Sequence, residues 1–288
     1  MASVYNNLYL DARKQFKNAG VESAQLEARE IVCFAAGKSR EAFYRDRMLY
    51  APDQVEEKVH ELVRRRLAGE PVAYLIGEWE FYGLPFTVTS DVLIPRMDTE
   101  VLAEQAILLA RAAGERCRVL DLCAGSGCVG LAVAANVPGA RAVLCDVSEG
   151  ALRLCRENAR RNELQGRVTC LQADARLRPP AELGEFQVIA CNPPYIPTGD
   201  LAGLDPTVRD YEPRLALDGG ADGLDFYRAI AQNWREALHP GGTLLFEVGI
   251  GQASDVEWIL SRNGYRQVRS FPDTQQIPRV VAGIRPEE

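Results

Sequence analysis

Between Val119 and Gly130 an apolar run, Val119-Leu120-Asp121-Leu122, opens into Cys123-Ala124-Gly125-Ser126-Gly127-Cys128-Val129-Gly130, and a helical stretch follows to about Asn136. Glycines spaced Gly-x-Gly-x-x-Gly between a strand and a helix let backbone turn tightly and approach a bound group, as a nucleotide-type cofactor requires. Strands and helices alternate from there on, in the manner of a doubly wound α/β domain. A second strand, Ala142 to Cys145, ends at Asp146. Ser148 can cap the next helix, whose inner face would carry Ala151, Leu152, Cys155 and Ala159. Val168 to Gln172 reads as a third strand ending near Asp174, and Phe186 to Cys191 as a fourth. A helix over about Leu224 to Leu238 and a turn at His239-Pro240-Gly241-Gly242 precede a fifth strand, Thr243 to Val248. Strands near Tyr265 to Ser270 and Arg279 to Ile284 would complete the sheet as a hairpin.

The fourth strand stops at Asn192-Pro193-Pro194-Tyr195. Two prolines stiffen this turn and donate nothing, so its carbonyls are acceptors, and Asn192 adds a side-chain carbonyl beside them. A planar –NH2, whether of a carboxamide or of a base, has two donors that suit such a pair of acceptors, and Tyr195 offers a flat face to close the slot. The glycine loop by itself fits nicotinamide adenine dinucleotide and S-adenosylmethionine equally, since both carry ribose hydroxyls that Asp146 could accept. The turn decides between them. Hydride transfer has no use for it, whereas methyl transfer to an amide or base nitrogen does.

The formal charge of −7 argues against a general polyanion binder, so no direct nucleic-acid partner is expected. No stretch approaches the roughly 20 apolar residues that cross a bilayer, and the expectation is a soluble, cytoplasmic protein. The eight cysteines lie mostly in apolar runs without a Cys-x-x-Cys pair, which fits reduced, buried thiols. His60 and His239 are the only histidines, neither at ligand spacing from a cysteine pair, so no metal is expected.

Upstream, residues to about Ile76 carry helical stripes: Ala28, Ile31, Val32 and Ala35, then Val55, Val59, Leu62, Val63 and Leu67. Arg64-Arg65-Arg66 reads as a solvated helix face. Around Gly77 the period changes to that of a β-hairpin through Trp79, Phe81, Phe86 and Val88. Asp98, Thr99 and Glu100 read as the amino-terminal cap of a helix to about Ala113. The Pro- and Gly-rich segment from Tyr195 to about Asp222 is too long for an idle connection and suggests a substrate-binding loop.

Gly77-Glu-Trp-Glu-Phe-Tyr-Gly-Leu84, Leu93-Ile-Pro-Arg-Met-Asp-Thr-Glu100, the Asp-Leu-Cys-Ala-Gly-Ser-Gly loop and Asn192-Pro-Pro-Tyr-Ile196 together resemble the HemK family, the peptide chain release factor glutamine methyltransferases. Glu212-Pro213, Ala216-Leu217, Gly219 to Tyr227 and Arg279-Val280-Val281 extend the likeness over most of the chain. Met97 departs from the family's usual proline, and Asp273-Thr-Gln-Gln-Ile-Pro278 from its usual Asp-Leu-x-Gly.

The resemblance implies an α/β, Rossmann-like S-adenosylmethionine-dependent methyltransferase domain with a seven-stranded mixed sheet over residues 92–288. A helical release-factor-recognition domain over 1–76 and a β-hairpin linker over 77–91 would precede it. The implied reaction methylates the glutamine amide nitrogen of a Gly-Gly-Gln motif in peptide chain release factors, by a protein expected to be a monomer. Cys123, Ala124, Gly125, Ser126, Gly127, Asp146, Asp174, Ala175 and Asn192 would hold the cofactor. Gly125 and Gly127 would line its methionine part, Asp146 its ribose, and Asp174 and Ala175 its adenine edge. Asn192, Pro193, Pro194 and Tyr195 would hold the substrate, with Asn192, Pro193 and Tyr195 acting in catalysis. Glu247 on the fifth strand is expected to be structural. The competing function is an adenine amino-methyltransferase acting on DNA or RNA, whose –NH2 target suits the same turn.

Overall fold

A computed structural model describes residues 3–114 and 116–287. The chain divides into two units, residues 1–78 with 206–211, and residues 79–205 with 212–288.

The first unit is helical: α1 (Tyr5–Asn18), α2 (Ala24–Ala36), α3 (Arg40–Asp46), α4 (Asp53–Leu67) and α5 (Val72–Ile76). Its core takes one stripe from each long helix, with Leu8, Ala12 and Phe16 meeting Ala28, Ile31 and Val32 and then Val59, Leu62 and Val63, all buried. The arginine run is not a uniformly solvated face. Arg66 turns inward to Glu27, itself 7% exposed, with Nε 2.5 Å from Oε2, and Arg65 forks onto Glu70. A buried carboxylate requires such a partner. The short segment Pro206–Tyr211, distant in sequence, belongs to this unit, and Tyr211 Oη donates to Ala68 O at 3.3 Å.

The second unit opens with the hairpin of β1 (Glu78–Phe81) and β2 (Leu84–Thr87), then α6 (Thr99–Ala112). Five parallel strands follow with their crossovers: β3 (Arg118–Leu122), α7 (Cys128–Asn136), β4 (Arg141–Asp146), α8 (Glu149–Arg161), β5 (Val168–Gln172), β6 (Phe186–Cys191) and, after α10 (Asp225–Asn233), β7 (Leu238–Glu247). The connection from β6 to α10 includes the single-turn α9 (Pro206–Arg209) of the first unit, and otherwise two 3₁₀ turns. α11 (Ala253–Arg262), β8 (Arg266–Pro272) and β9 (Pro278–Ile284) close the unit. The sheet order is β5-β4-β3-β6-β7-β9-β8, with β9 antiparallel to both neighbours. This is the mixed seven-stranded sheet expected of the methyltransferase fold. The order reverses between β3 and β6, so their carboxyl ends diverge into a crevice where ligands of such sheets bind.

Three local expectations change. The helix at Leu224 ends at Asn233, because Trp234 leaves it to bury its ring completely and to donate Nε1–H to Ala175 O at 2.8 Å. The residues read as a turn at His239 to Gly242 already belong to β7, whose register with β6 shifts between Phe186 and Val188. Asp98 occupies the N-cap position of α6 without capping it, since its carboxylate pairs with Arg279 at 2.9 Å. Glu100 instead accepts from Tyr82 N at 3.1 Å, and Thr99 turns toward Asn192. The hairpin is tied to α8. Asn158 of α8, fully buried, accepts from Thr87 N at 2.7 Å and donates to Thr87 O at 3.1 Å and to Ser126 O at 3.0 Å, riveting β2 and the glycine loop to one helix.

At the divergent carboxyl-terminal turn, Asp273 Oδ1 accepts from Gln275 N and Ile277 N while Oδ2 takes Arg279 Nε at 3.0 Å. One aspartate organises the turn without a glycine. Met97 is 85% exposed and makes no demand on the core.

Candidate active site

Four strand ends deliver the site. β3 runs into Cys123, which is held at φ +61°, a left-handed conformation that a side chain adopts only under local constraint. The chain then passes Gly125 at φ +55° and Gly127 at φ +82° into α7. β4 ends at Asp146, whose Oδ2 accepts from Gly125 N and Oδ1 from Ser148 N, both at 2.9 Å. Burial raises the Asp146 carboxyl, and those backbone donors oppose the rise. Ser148 also caps α8, accepting from Ala151 N at 3.2 Å.

These ends enclose a cavity of about 240 Å³ within the second unit. Cys123, Ala124, Gly125, Ser126, Asp146, Asp174, Ala175, Asn192 and Pro194 all line it. Gly127, Pro193 and Tyr195 do not. A Cβ on Gly127 would stand 2.9 Å from Leu144 Cδ1, and one on Gly130 would stand 2.3 Å from Leu144 Cδ2, so these two glycines serve the packing of α7 on the sheet. Gly125 alone faces open space, with no protein atom within 4 Å of the position a Cβ would take.

Asp174 is committed to Arg176. It accepts from the Arg176 backbone N–H and from its guanidinium, which lowers the carboxyl below the usual range. Its turn-forming role is therefore visible together with its place on the cavity wall. Ala175 is fixed by the Trp234 hydrogen bond to its carbonyl. Asn192 is half-buried at the end of β6 and donates Nδ2–H to Thr99 Oγ1 at 3.3 Å, while Pro193 and Pro194 are buried. The turn is clamped from behind. Ile196 N donates to Leu217 O and Gly219 N to Ile196 O, and a Cβ on Gly219 would stand 2.7 Å from Tyr195 Cα. Tyr195 packs toward Gly249, its carbonyl accepts from Gln252 Nε2 at 3.0 Å, and burial pushes its phenol up to about 12.

Residues 7–77 match the PrmC N-terminal domain family, and residues 97–202 the methyltransferase small domain family. A release factor glutamine methyltransferase of Geobacter sulfurreducens is 45% identical over 266 residues, covering 92% of this chain and 90% of its own. The chain belongs to the release factor glutamine methyltransferase family. Another of these methyltransferases, from Bradyrhizobium diazoefficiens, is 38% identical over 93% of this chain and 90% of its own. The hMettl16 catalytic domain, solved in complex with MAT2A 3'UTR hairpin 6, shares the fold, with a TM-score of 0.57 at 14% identity over 79% of this chain and 82% of that one.

Several residues around this methyltransferase cavity are not evident from the linear pattern. Asp121, 2% exposed, accepts from Gly130 N at 2.8 Å and is pushed up to about 8 by burial. Leu215, Ala216 and Phe226 also line the cavity, contributed by the long connection after β6 and by α10. Arg96 reaches the buried Glu212, joining the segment before α6 to that connection. Among the described residues no helix is long and apolar enough to cross a membrane.

Proposed function

We propose that this protein methylates the glutamine side-chain nitrogen of the Gly-Gly-Gln motif in peptide chain release factors, with S-adenosylmethionine as donor. The observation that carries this reading is Asn192, an acceptor-bearing carboxamide that lines the same cavity as the Gly125 loop and Asp146. Family membership supplies the substrate class. The cavity's chemistry suits the donor: open backbone at Gly125, a buried Ser126 Oγ with no partner, and the Asp146 carboxylate with lone pairs left over from its two backbone donors.

Bound there, S-adenosylmethionine would supply a sulfonium methyl group and become a neutral thioether. Asp146 would accept from the ribose hydroxyls, and Ala175 with Asp174 would border the adenine. A carboxamide nitrogen is a weak nucleophile because its lone pair is delocalised, so the protein must orient it and stabilise the charge it acquires. Asn192 Oδ1 and the Pro193 carbonyl accept its two hydrogens, which holds the –NH2 plane and favours positive charge on nitrogen. The proton would then pass to water from a nitrogen made acidic by methylation, and no strongly basic side chain need touch it.

Incubating the protein and methyl-labelled S-adenosylmethionine with purified release factors, tRNA, rRNA and DNA tests the reading. Label confined to a release-factor glutamine supports it. Label on adenine, or none on any release factor, overturns it.

A further inference from the structure

Glu247 ends β7, and Cys191 lies opposite Phe246 in the β6–β7 register, so Asn192 and Glu247 are the next residues along two hydrogen-bonded strands. Glu247 is 3% exposed and its Oε2 has no hydrogen-bond partner, an arrangement a fold does not keep without cause. The side chains of Thr99 and Asn192 are its polar neighbours, and both lower the carboxyl against the rise that burial causes. Thr99, itself 2% exposed, also accepts from Asn192 Nδ2 at 3.3 Å.

The donor inventory gives this trio a direction. An ionised carboxylate only accepts. The single hydrogen of Thr99 therefore goes to Glu247, Thr99 Oγ1 is left to accept, and the –NH2 end of Asn192 must turn inward. Its Oδ1 then faces the cavity. We propose that ionised Glu247 is a positioning residue that, through Thr99, sets which end of the Asn192 carboxamide faces the methyl acceptor. This rests on the release-factor reading above, in which the acceptor is an –NH2. Protonated Glu247 can instead donate to Thr99, Thr99 to Asn192 Oδ1, and the overturned carboxamide then presents –NH2 to a target that needs an acceptor.

Burial raises Glu247 to about 7, which puts both orientations within reach near neutrality. Charged and titratable groups face it from every side: Asp98 ahead of α6, Tyr195 on the turn, Tyr227 of α10, Cys128 of α7 and Arg279 of β9. Asp98 raises the carboxyl and Arg279 lowers it. Arg279 is already shared between Asp98 and Asp273 at 2.9 and 3.0 Å, so its hold on Glu247 is partial.

Two measurements on the full chain test the proposal. In ¹⁵N-labelled protein without substrate, the Asn192 side-chain amide is expected to titrate near pH 7 and to stop titrating in Glu247→Gln. In single-turnover methyl transfer, the rate is expected to rise through the same pH, and Glu247→Leu, which leaves no acceptor for the Thr99 hydrogen, to fall by about 10²-fold with a flat profile and little change in cofactor affinity. Thr99→Ser, which keeps the hydroxyl, should retain rate and profile, whereas Thr99→Val should behave like Glu247→Leu. An Asn192 amide that does not titrate overturns the proposal, as does a folded Glu247→Leu or Thr99→Val protein with the wild-type rate and profile. If the amide titrates as expected but no release factor is methylated by the wild-type protein, it is the release-factor reading that fails.

Discussion

The Asp146 carboxylate accepts the Gly125 backbone N–H at 2.9 Å, so the end of β4 fixes the loop that leaves β3. Asp146→Ala should therefore act twice. It strips the loop of its anchor, at a cost of about 1–3 kcal/mol of stability, and it removes the acceptor proposed for the ribose hydroxyls. Calorimetric titration with S-adenosylmethionine beside a melting curve separates the two effects. Undiminished cofactor affinity would refute the ribose role.

The glycines of the loop should respond differently to the same change. Gly130→Ala drives a Cβ to 2.3 Å from Leu144 Cδ2 and 3.0 Å from Asp121 Cβ, and is expected to cost about 1–3 kcal/mol in overpacking. Gly125→Ala meets no atom but must hold φ +55°, at about 1–2 kcal/mol, and its methyl points into the space where the cofactor is proposed to lie. Gly130→Ala should thus be the less stable protein and Gly125→Ala the weaker binder. The reverse ranking would mean that the glycine roles have been exchanged.

That contrast marks the limit of what the chain discloses by pattern. β5 and β6 are legible to the residue, because turn-forming residues follow the first and prolines stop the second. Spacing identifies three glycines but cannot separate the one that faces open space from the two that face Leu144, since a single Gly-x-Gly-x-x-Gly pattern holds all three. Thr99 reads as a cap because its sequence neighbours suggest one, while its partner Asn192 is 93 residues away. Glu247 looks like an isolated acid at the end of an apolar strand, and only the β6–β7 register reveals what it adjoins. Trp234 likewise reads as helix until its burial against Ala175 is known.

Asp121 predicts a specific pH dependence of stability. Its folded-state pKa is about 8, raised by burial, against about 3.9 for an ordinary aspartate. The folded protein keeps this proton to higher pH than the unfolded chain does. Its contribution is therefore greatest below the unfolded value and is lost as pH rises toward about 8. Asp121→Asn keeps an acceptor for Gly130 N without the ionisation, so its Tm should gain on the wild type between about pH 5 and about pH 8. A constant Tm difference across that window would show that Asp121 is not held protonated in the fold.

Asn192→Ala tests the centre of the site. The substitution deletes one of the two acceptors proposed for the target –NH2, and Pro193, Pro194 and the glycine loop stay in place. Its structural cost should be small, because Asn192 is held to Thr99 by a long 3.3 Å contact and the Thr99 hydroxyl stays beside Glu247 without it. If the carbonyl of Asn192 matters most as charge develops on the attacking nitrogen, its loss belongs in the transition state and not in binding. The expected result is a fall in single-turnover methyl transfer of about 10²–10³-fold at saturating substrates, with cofactor affinity changed much less. A melting curve close to the wild type would exclude misfolding as the cause. A folded Asn192→Ala protein that transferred methyl at near the normal rate would remove Asn192 from the mechanism, and the orientation assigned to Thr99 and Glu247 would lose its purpose with it.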